Sequence, residues 1–364
     1  MSHLLMTPGP TPLSQEVLEA IARPALSHRS EAYKAIGRRV FSGLQWAFQT
    51  THPVLVLTCG ATGAIEACLR NTCNPGDSVL TLANGFFSER WGRMASLLGY
   101  NTTTLTVNDG EIHSLKAFKQ ALLKKPYKAV VITHNETSTG AMCELQPMLE
   151  VCQQNGVLSI VDAVTTVGVS PLPMDEWGAD IVVGASQKGF MATPGMTFVA
   201  VGPKGWEAFK QVSYPGVAFN FEIYRDFQSK DMPPFTPATH TFYALDVSLQ
   251  TMQLEGLEAI HQRHRRLKLT VRKTLSRLGC PLLVPEVSHT GDAVTVAFPP
   301  DGWTSVTLRE ALLKRYGIEL ANGAGQFHDK TFRIGHIGTQ QDTAVNTTLA
   351  ALSDLLGGSP FNPK

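Results

Sequence analysis

Four short segments carry side chains whose types and spacing could do chemistry together. They are Thr58-Cys59-Gly60-Ala61-Thr62-Gly63, His134-Asn135-Glu136-Thr137-Ser138-Thr139-Gly140, Asp162-Ala163-Val164 and Ser186-Gln187-Lys188-Gly189. A lysine set among small residues can be desolvated, which lowers its pKa and makes the amine a nucleophile toward a carbonyl carbon. An aspartate ending an apolar run needs a partner. A cation about 4 Å away would interact with it by roughly 4 kcal/mol at an effective dielectric near 20. The small-residue turn at 58–63 opens the stretch AIEACLR, so its backbone N–H groups and a helix dipole suit an anion such as phosphate. Thr62 adds a hydroxyl. The 134–140 segment offers further hydroxyl and amide groups. Taken singly, each has a bland counterpart: a Gly-rich connection, a helix N-cap or buried ion pair, a solvated lysine, a capped turn.

The elements that must position these residues follow from patterning. Runs at 54–58, 78–83, 128–133, 158–162, 180–185 and 197–201 are short, nearly continuous in apolar residues and bounded by turn residues. Strands buried on both faces read this way. Amphipathic stretches near 63–71, 88–98, 114–124 and 145–155 lie between them, so the spacing predicts an α/β fold with a mostly parallel, doubly covered sheet. The last two runs have no helix between them, which points to an antiparallel member. All four chemical segments then fall at strand ends, where open α/β sheets bind ligands. The first 15 residues are rich in Pro and Gly and read as an extended arm. Residues 212–241, rich in proline and aromatics, read as an irregular connector. Residues 242–278 read as long helices. Strands near 293–298, 318–321 and 332–335, with helices near 304–315 and 342–356, form a smaller α+β unit. The expected division is an arm at 1–15, a large domain at 16–250 and a small domain at 251–364.

Lys+Arg and Asp+Glu balance at 31 and 30, a net charge of +1, so neither nucleic acid nor an anionic membrane is expected as a partner. The six cysteines form no CxxC pair. Free thiols suit a reducing compartment, and a cytoplasmic location is expected. The N-terminus has no secretory pattern, the C-terminal Ser-Pro-Phe-Asn-Pro-Lys is not a peroxisomal address, and no apolar run is long enough to span a membrane. His261 and His264, three apart in HQRHRRLK, read as a solvated basic helix face, and no metal site is expected. Asn322-Gly323-Ala324-Gly325 reads as a substrate-side loop or a plain turn.

The order of small-residue turn, polar strand end, Asp and Lys resembles a class V, fold type I enzyme dependent on pyridoxal 5′-phosphate (PLP), of the alanine/serine–glyoxylate aminotransferase group. The resemblance extends over nearly the whole chain. It is carried by Pro8-Gly9-Pro10-Thr11-Pro12, Ser27-His28-Arg29-Ser30, Gly60–Ala67, Asn84-Gly85-Phe86-Phe87, His134–Gly140, Val161–Val164, Ser186-Gln187-Lys188, Thr193-Pro194-Gly195 and Phe332-Arg333-Ile334-Gly335.

The resemblance implies a seven-stranded, mostly parallel sheet in the large domain and a role for each matching residue. Lys188 holds the cofactor as a Schiff base and then shuttles the α-proton. Asp162 pairs with the pyridine nitrogen, and Val164 lies beside it. Phe87 stacks on the ring, where the family often has tryptophan. Gly60, Ala61, Thr62 and Gln187 serve the phosphate, although the family's turn is Ser-Gly-rich and this one is Thr-Cys-Gly-Ala-Thr-Gly. Thr137 reaches the ring hydroxyl. Thr236 reaches the phosphate of a neighbouring subunit, which implies a homodimer with shared sites. Arg333 takes the substrate carboxylate through two parallel hydrogen bonds, and Gly9 lines the substrate mouth. The activity implied is ping-pong transamination from alanine or serine to glyoxylate or pyruvate. Transamination of aminoethylphosphonate or ureidoglycine, or a PLP lyase such as a desulfurase, remains the alternative. The lyase branch needs a small-domain Cys that residues 317–336 lack.

Overall fold

Strand and helix signals alternate along residues 54–201, and the sheet they build is what carries the four chemical segments. The structure, a computed structural model, describes residues 3–339 and 342–357; the C-terminal Ser-Pro-Phe-Asn-Pro-Lys lies outside them. The main sheet has seven strands: β1 (Val54–Leu57), β2 (Ser78–Ala83), β3 (Asn101–Thr106), β4 (Ala129–Thr133), β5 (Leu158–Asp162), β6 (Ile181–Ala185) and β7 (Thr197–Val201). Their spatial order is β1-β7-β6-β5-β4-β2-β3. β7 runs antiparallel to both β1 and β6, and the remaining pairings are parallel. The absence of a helix between β6 and β7 had pointed to this reversal.

Successive residues of a strand alternate faces, and here both faces find an apolar core. Val56, Val161 and Val182 join one cluster. Their neighbours Leu57, Ile160 and Val183 join another on the opposite side. The one strand of this sheet not anticipated is β3, NTTTLT. It is an edge strand whose residues are partly or fully exposed, so it lacks the continuous apolar run of its neighbours. Its threonines are β-branched and favour the pleat without looking buried.

The later part of the chain builds a second apolar cluster from Leu267, Val271, Leu308, Phe332, Ile334 and Leu349, among others. Its sheet has the order β8 (Val294–Ala297), β10 (Phe332–Gly335), β9 (Ala321–Asn322), all antiparallel. The N-terminal arm joins this unit. Leu4–Leu5 pairs in parallel with Ile318–Glu319, and Met6 is fully buried in the cluster. The long helix Leu257–Arg277 contributes Ile260 to the large core and Leu267, Val271 and Leu275 to the small one.

Two expectations are corrected. The connector at 212–241 contains a helix, Phe221–Gln228, whose N-cap Asn220 accepts from the Ile223 N–H. The basic helix Leu257–Arg277 is solvated only in part: Arg265 and Arg266 are exposed, but another of its basic faces is not. His264, Lys268 and Arg272 are each at most 6% exposed, because residues four apart share a helix face and that face packs inward. His264 contacts the Ile260 carbonyl and accepts from the Gly338 N–H, and burial pushes its pKa down to about 3.

Candidate active site

Asp162 is the last residue of β5 and Lys188 lies three residues beyond β6, so adjacent parallel strands deliver both to the same sheet edge. They line one cavity of about 230 Å³ together with Ala61, Thr62, Phe87, Thr137, Val164 and Gln187. Eight of the expected residues are therefore brought together. Gly60, Gly9, Arg333 and Thr236 do not line it directly.

Lys188 is enclosed rather than paired. Its Nζ donates to the Pro8 carbonyl at 2.7 Å. The arm grips the same loop again, with the Thr11 N–H on the Gln187 carbonyl at 3.1 Å. Gly9, at φ +130°, lets the arm close in, since a Cβ there would fall 2.5 Å from Nζ. Burial, with the Arg333 charge added, pushes the Lys188 amine down to about 8, against the pull of Asp162. Near neutral pH an appreciable fraction is then the free, nucleophilic base.

Asp162 is 7% exposed. Burial pushes its carboxyl up to about 6, and the nearby Glu136 adds to the rise. Donors oppose the rise. The Val164 N–H bonds Oδ1 at 3.2 Å and the Trp91 indole N–H bonds Oδ2 at 3.0 Å. A carboxyl so placed would gain from a cation in the cavity.

The helix Ala61–Thr72 starts at Gly60, its N-cap, which offers no side-chain cap. Ala61 and Thr62 occupy the first two helical positions, whose N–H groups lack intrahelical acceptors. An anion can take them. Cys59, where the family pattern differs, points away from this duty: its Sγ lies 3.1 Å from Thr197 Oγ1 and fastens the turn to β7.

Phe87 lies in the first turn of the helix Phe86–Leu97. Three cavity residues on or near this helix were not anticipated: Arg90 and Trp91 on it, and Thr133 at the end of β4. Arg90 stacks 5.2 Å from both the Phe86 and Phe87 rings. Glu136 was likewise missed within its own motif. It is fully buried and accepts from the Ser88 N–H at 2.7 Å, the Ser138 N–H at 3.0 Å and the Ser138 hydroxyl at 2.6 Å. It thereby caps the helix that carries Phe87 and Trp91. Gly85 permits this approach, because a Cβ would meet Glu136 Cγ at 2.6 Å. The helical spacing of Phe87 and Trp91 was the available signal. A polar segment such as 134–140 gives no hint of which member turns inward.

Arg333 is on β10, beside the cavity. Its Nε donates to the Asn322 carbonyl at 2.7 Å and its Nη1 to the carbonyl of Thr137 at 3.1 Å. Burial pushes its pKa down to about 10, with Glu136 opposing. The Asn322–Gly325 turn is therefore more than a connection: it orients Arg333, and Gly325 packs against Phe86. Thr236 is exposed in the segment before the helix Thr239–Glu255 and does not line this chain's cavity.

The donor set fits the expected cofactor. An aldehyde needs the Lys188 amine, a phosphate needs the helix N-terminus, a protonated ring nitrogen needs Asp162, and an aromatic ring needs Phe87. These groups line one space.

Comparison with known proteins agrees. The family model for class-V aminotransferases matches residues 4–327; Arg333 lies just beyond that stretch. A protein named soluble hydrogenase, small subunit, from Synechococcus sp. is 38% identical over 99% of this chain and 95% of its own length. Serine–glyoxylate aminotransferase of Arabidopsis thaliana is 31% identical over 97% and 90%. The crystal structure of alanine–glyoxylate aminotransferase from Nostoc sp. superposes with a TM-score of 0.92 at 29% identity, covering 98% of this chain and 96% of that one. The chain belongs to the class-V aminotransferase family and is a PLP-dependent transaminase.

Proposed function

We propose that this transaminase moves the amino group of a small amino acid, alanine or serine, to a small 2-oxo acid, glyoxylate or pyruvate, in two half-reactions. The carrying observation is the convergence of Lys188, Asp162, Phe87 and the start of the helix Ala61–Thr72 on one cavity. The reading rests on that arrangement and not on the name of the Synechococcus relative.

When bound, PLP supplies an aldehyde and an electron-withdrawing ring that make an amino acid's α-proton removable. Lys188 Nζ would hold the aldehyde, and the same amine would accept and return that proton. The Asp162 carboxylate, which lines the cavity, would keep the ring nitrogen protonated. Phe87 would cover one ring face. The Ala61 and Thr62 N–H groups, at the turn that begins with Gly60, and Gln187 would hold the phosphate, and Thr137 and Val164 would border the ring. Arg333, oriented by two carbonyls, binds the substrate carboxylate. The Gly9 arm narrows the mouth and favours small substrates.

The proposal extends to assembly and location. Thr236, exposed in its own chain, serves the phosphate of a second copy in a homodimer. The apolar cluster of the later residues and Met6 supports a small domain over 251–364, a large one over 16–250 and an arm over 1–15. All six cysteines are free, which supports a cytoplasmic location. No helix among the described residues is long and apolar enough to cross a membrane.

The test is a half-reaction screen. Holoenzyme is mixed with single amino acids and its cofactor absorbance followed. Alanine or serine should bleach the band, and glyoxylate or pyruvate should restore it. Bleaching by aminoethylphosphonate or ureidoglycine alone would redirect the substrate assignment. Sulfide release without an oxo acid would replace transamination by lysis.

A further inference from the structure

Trp91 follows Phe87 by one helical turn, so the two share the face of the helix Phe86–Leu97 that meets the cavity. The indole is 3% exposed. Its single N–H donor is divided between Thr133 Oγ1 and Asp162 Oδ2, both at 3.0 Å. A buried indole N–H needs one acceptor, and Thr133 alone would supply it. The second contact therefore does something for Asp162 that Trp91 does not need for itself.

Asp162 is gripped at both oxygens, by the Val164 N–H on Oδ1 and by Trp91 on Oδ2. A carboxylate has about four lone-pair positions. Two remain, so the group can still receive a donor from the cavity while its rotation is arrested. Building on the reading that PLP sits against Asp162, we propose that Trp91 is a positioning residue, holding the Asp162 carboxylate in the orientation and ionised form that meets the ring nitrogen. One helix then supplies both the aromatic ring face, through Phe87, and the alignment of the acid, through Trp91. Electrostatics support the geometry. Burial and Glu136 push Asp162 toward its neutral form, and the Trp91 N–H, the Val164 N–H and Lys188 hold it toward its charged form.

The experiment separates ring-nitrogen recognition from general packing. Cofactor-free wild type and Trp91→Phe are dialysed to equilibrium against PLP and against its 1-deaza analogue, which has a carbon in place of the ring nitrogen. A hydrogen bond to a charged group sets the scale, so Trp91→Phe should weaken PLP by about 10- to 100-fold and the analogue by less than about 3-fold. Equal weakening of both, or of neither, overturns the proposal. Thr133→Val leaves the whole indole N–H to Asp162 and should keep or increase the preference for PLP over the analogue. Loss of that preference would assign the alignment to Thr133 and also overturn the proposal. This second variant decides the matter if Trp91→Phe does not fold. Wild type that binds neither compound would refute the cofactor assignment itself, a result distinct from the others.

Discussion

Lys188 and Asp162 share a cavity without forming an ion pair, whereas Lys268 and Asp292 meet at 2.7 Å in the later part of the chain. Both settings bury a lysine and an aspartate. Around Asp292 the polar groups answer one another. The Ser170 hydroxyl donates to Oδ2 at 2.9 Å, Lys268 also donates to the Thr290 carbonyl at 3.1 Å, and His336 lies 2.8 Å from the Asp292 carbonyl. Burial keeps the neighbouring imidazoles neutral, with His336 pushed down to about 4 and His264 to about 3. Around Lys188 and Asp162 the charged forms are disfavoured in both groups, at about 8 and about 6. The first arrangement pairs its charges within the chain and ties the 290s segment to Ser170 of the larger core. The second is incomplete until a ligand supplies an aldehyde and a cationic ring atom. Buried charge that is paired holds structure, and buried charge left without its counterpart marks the place where a ligand completes the site.

Substituting methionine at each lysine is the sharpest way to break this comparison. Lys188→Met should abolish transamination, lowering kcat by at least about 10⁴-fold as nucleophile and base are lost together. Borohydride treatment should then leave no pyridoxyl group on residue 188, and turnover within tenfold of wild type would refute the role. Lys268→Met should instead strand Asp292 in the interior and cost about 3–5 kcal/mol of folding stability, read by urea unfolding. A loss below about 1 kcal/mol would show that the pair is not the tie described.

Smaller effects refine the picture. Arg333→Lys keeps the charge but loses the planar fork, so KM for the amino acid should rise by about 10- to 100-fold with a smaller change in kcat. Lys188→Met should also stabilise the cofactor-free protein, the opposite sign to Lys268→Met. The folded-state pKa of Lys188 lies near 8, below the ordinary 10.5. Its protonation therefore opposes folding fully below about pH 8 and not at all above about pH 10.5. The variant should gain about 3 kcal/mol at pH 7, and thermal melts should show the gain closing between those limits. No gain at pH 7 would mean that Lys188 is not strained by burial. Phe87→Leu should weaken PLP binding by only about 1 kcal/mol, the scale of an aromatic stacking contact, measured by dialysis.

The buried strands and most helices were legible because burial on both faces leaves a run of apolar residues that alternation with helices makes unmistakable. Strand β3 was not, since an edge strand carries little of that signal. The basic face at His264, Lys268 and Arg272 misled for a related reason. Charged residues are ordinarily solvated, and only the packed partners Asp292, Thr290 and the carbonyls of Val284 and Pro285 make their burial tolerable.

By itself the sequence determined the α/β frame through six of its seven main strands and the placing of Asp162 and Lys188 at strand ends, because local periodicity and chain order suffice for these; the family and the count of seven came with the resemblance of the motifs. Tertiary structure alone decided that Trp91 meets Asp162 across 71 positions of the chain, that Glu136 caps the helix bearing Phe87, and that Pro8 and Gly9 close on Lys188. Those contacts depend on which side chain turns inward and how near a distant backbone comes, and no spacing along a chain encodes either.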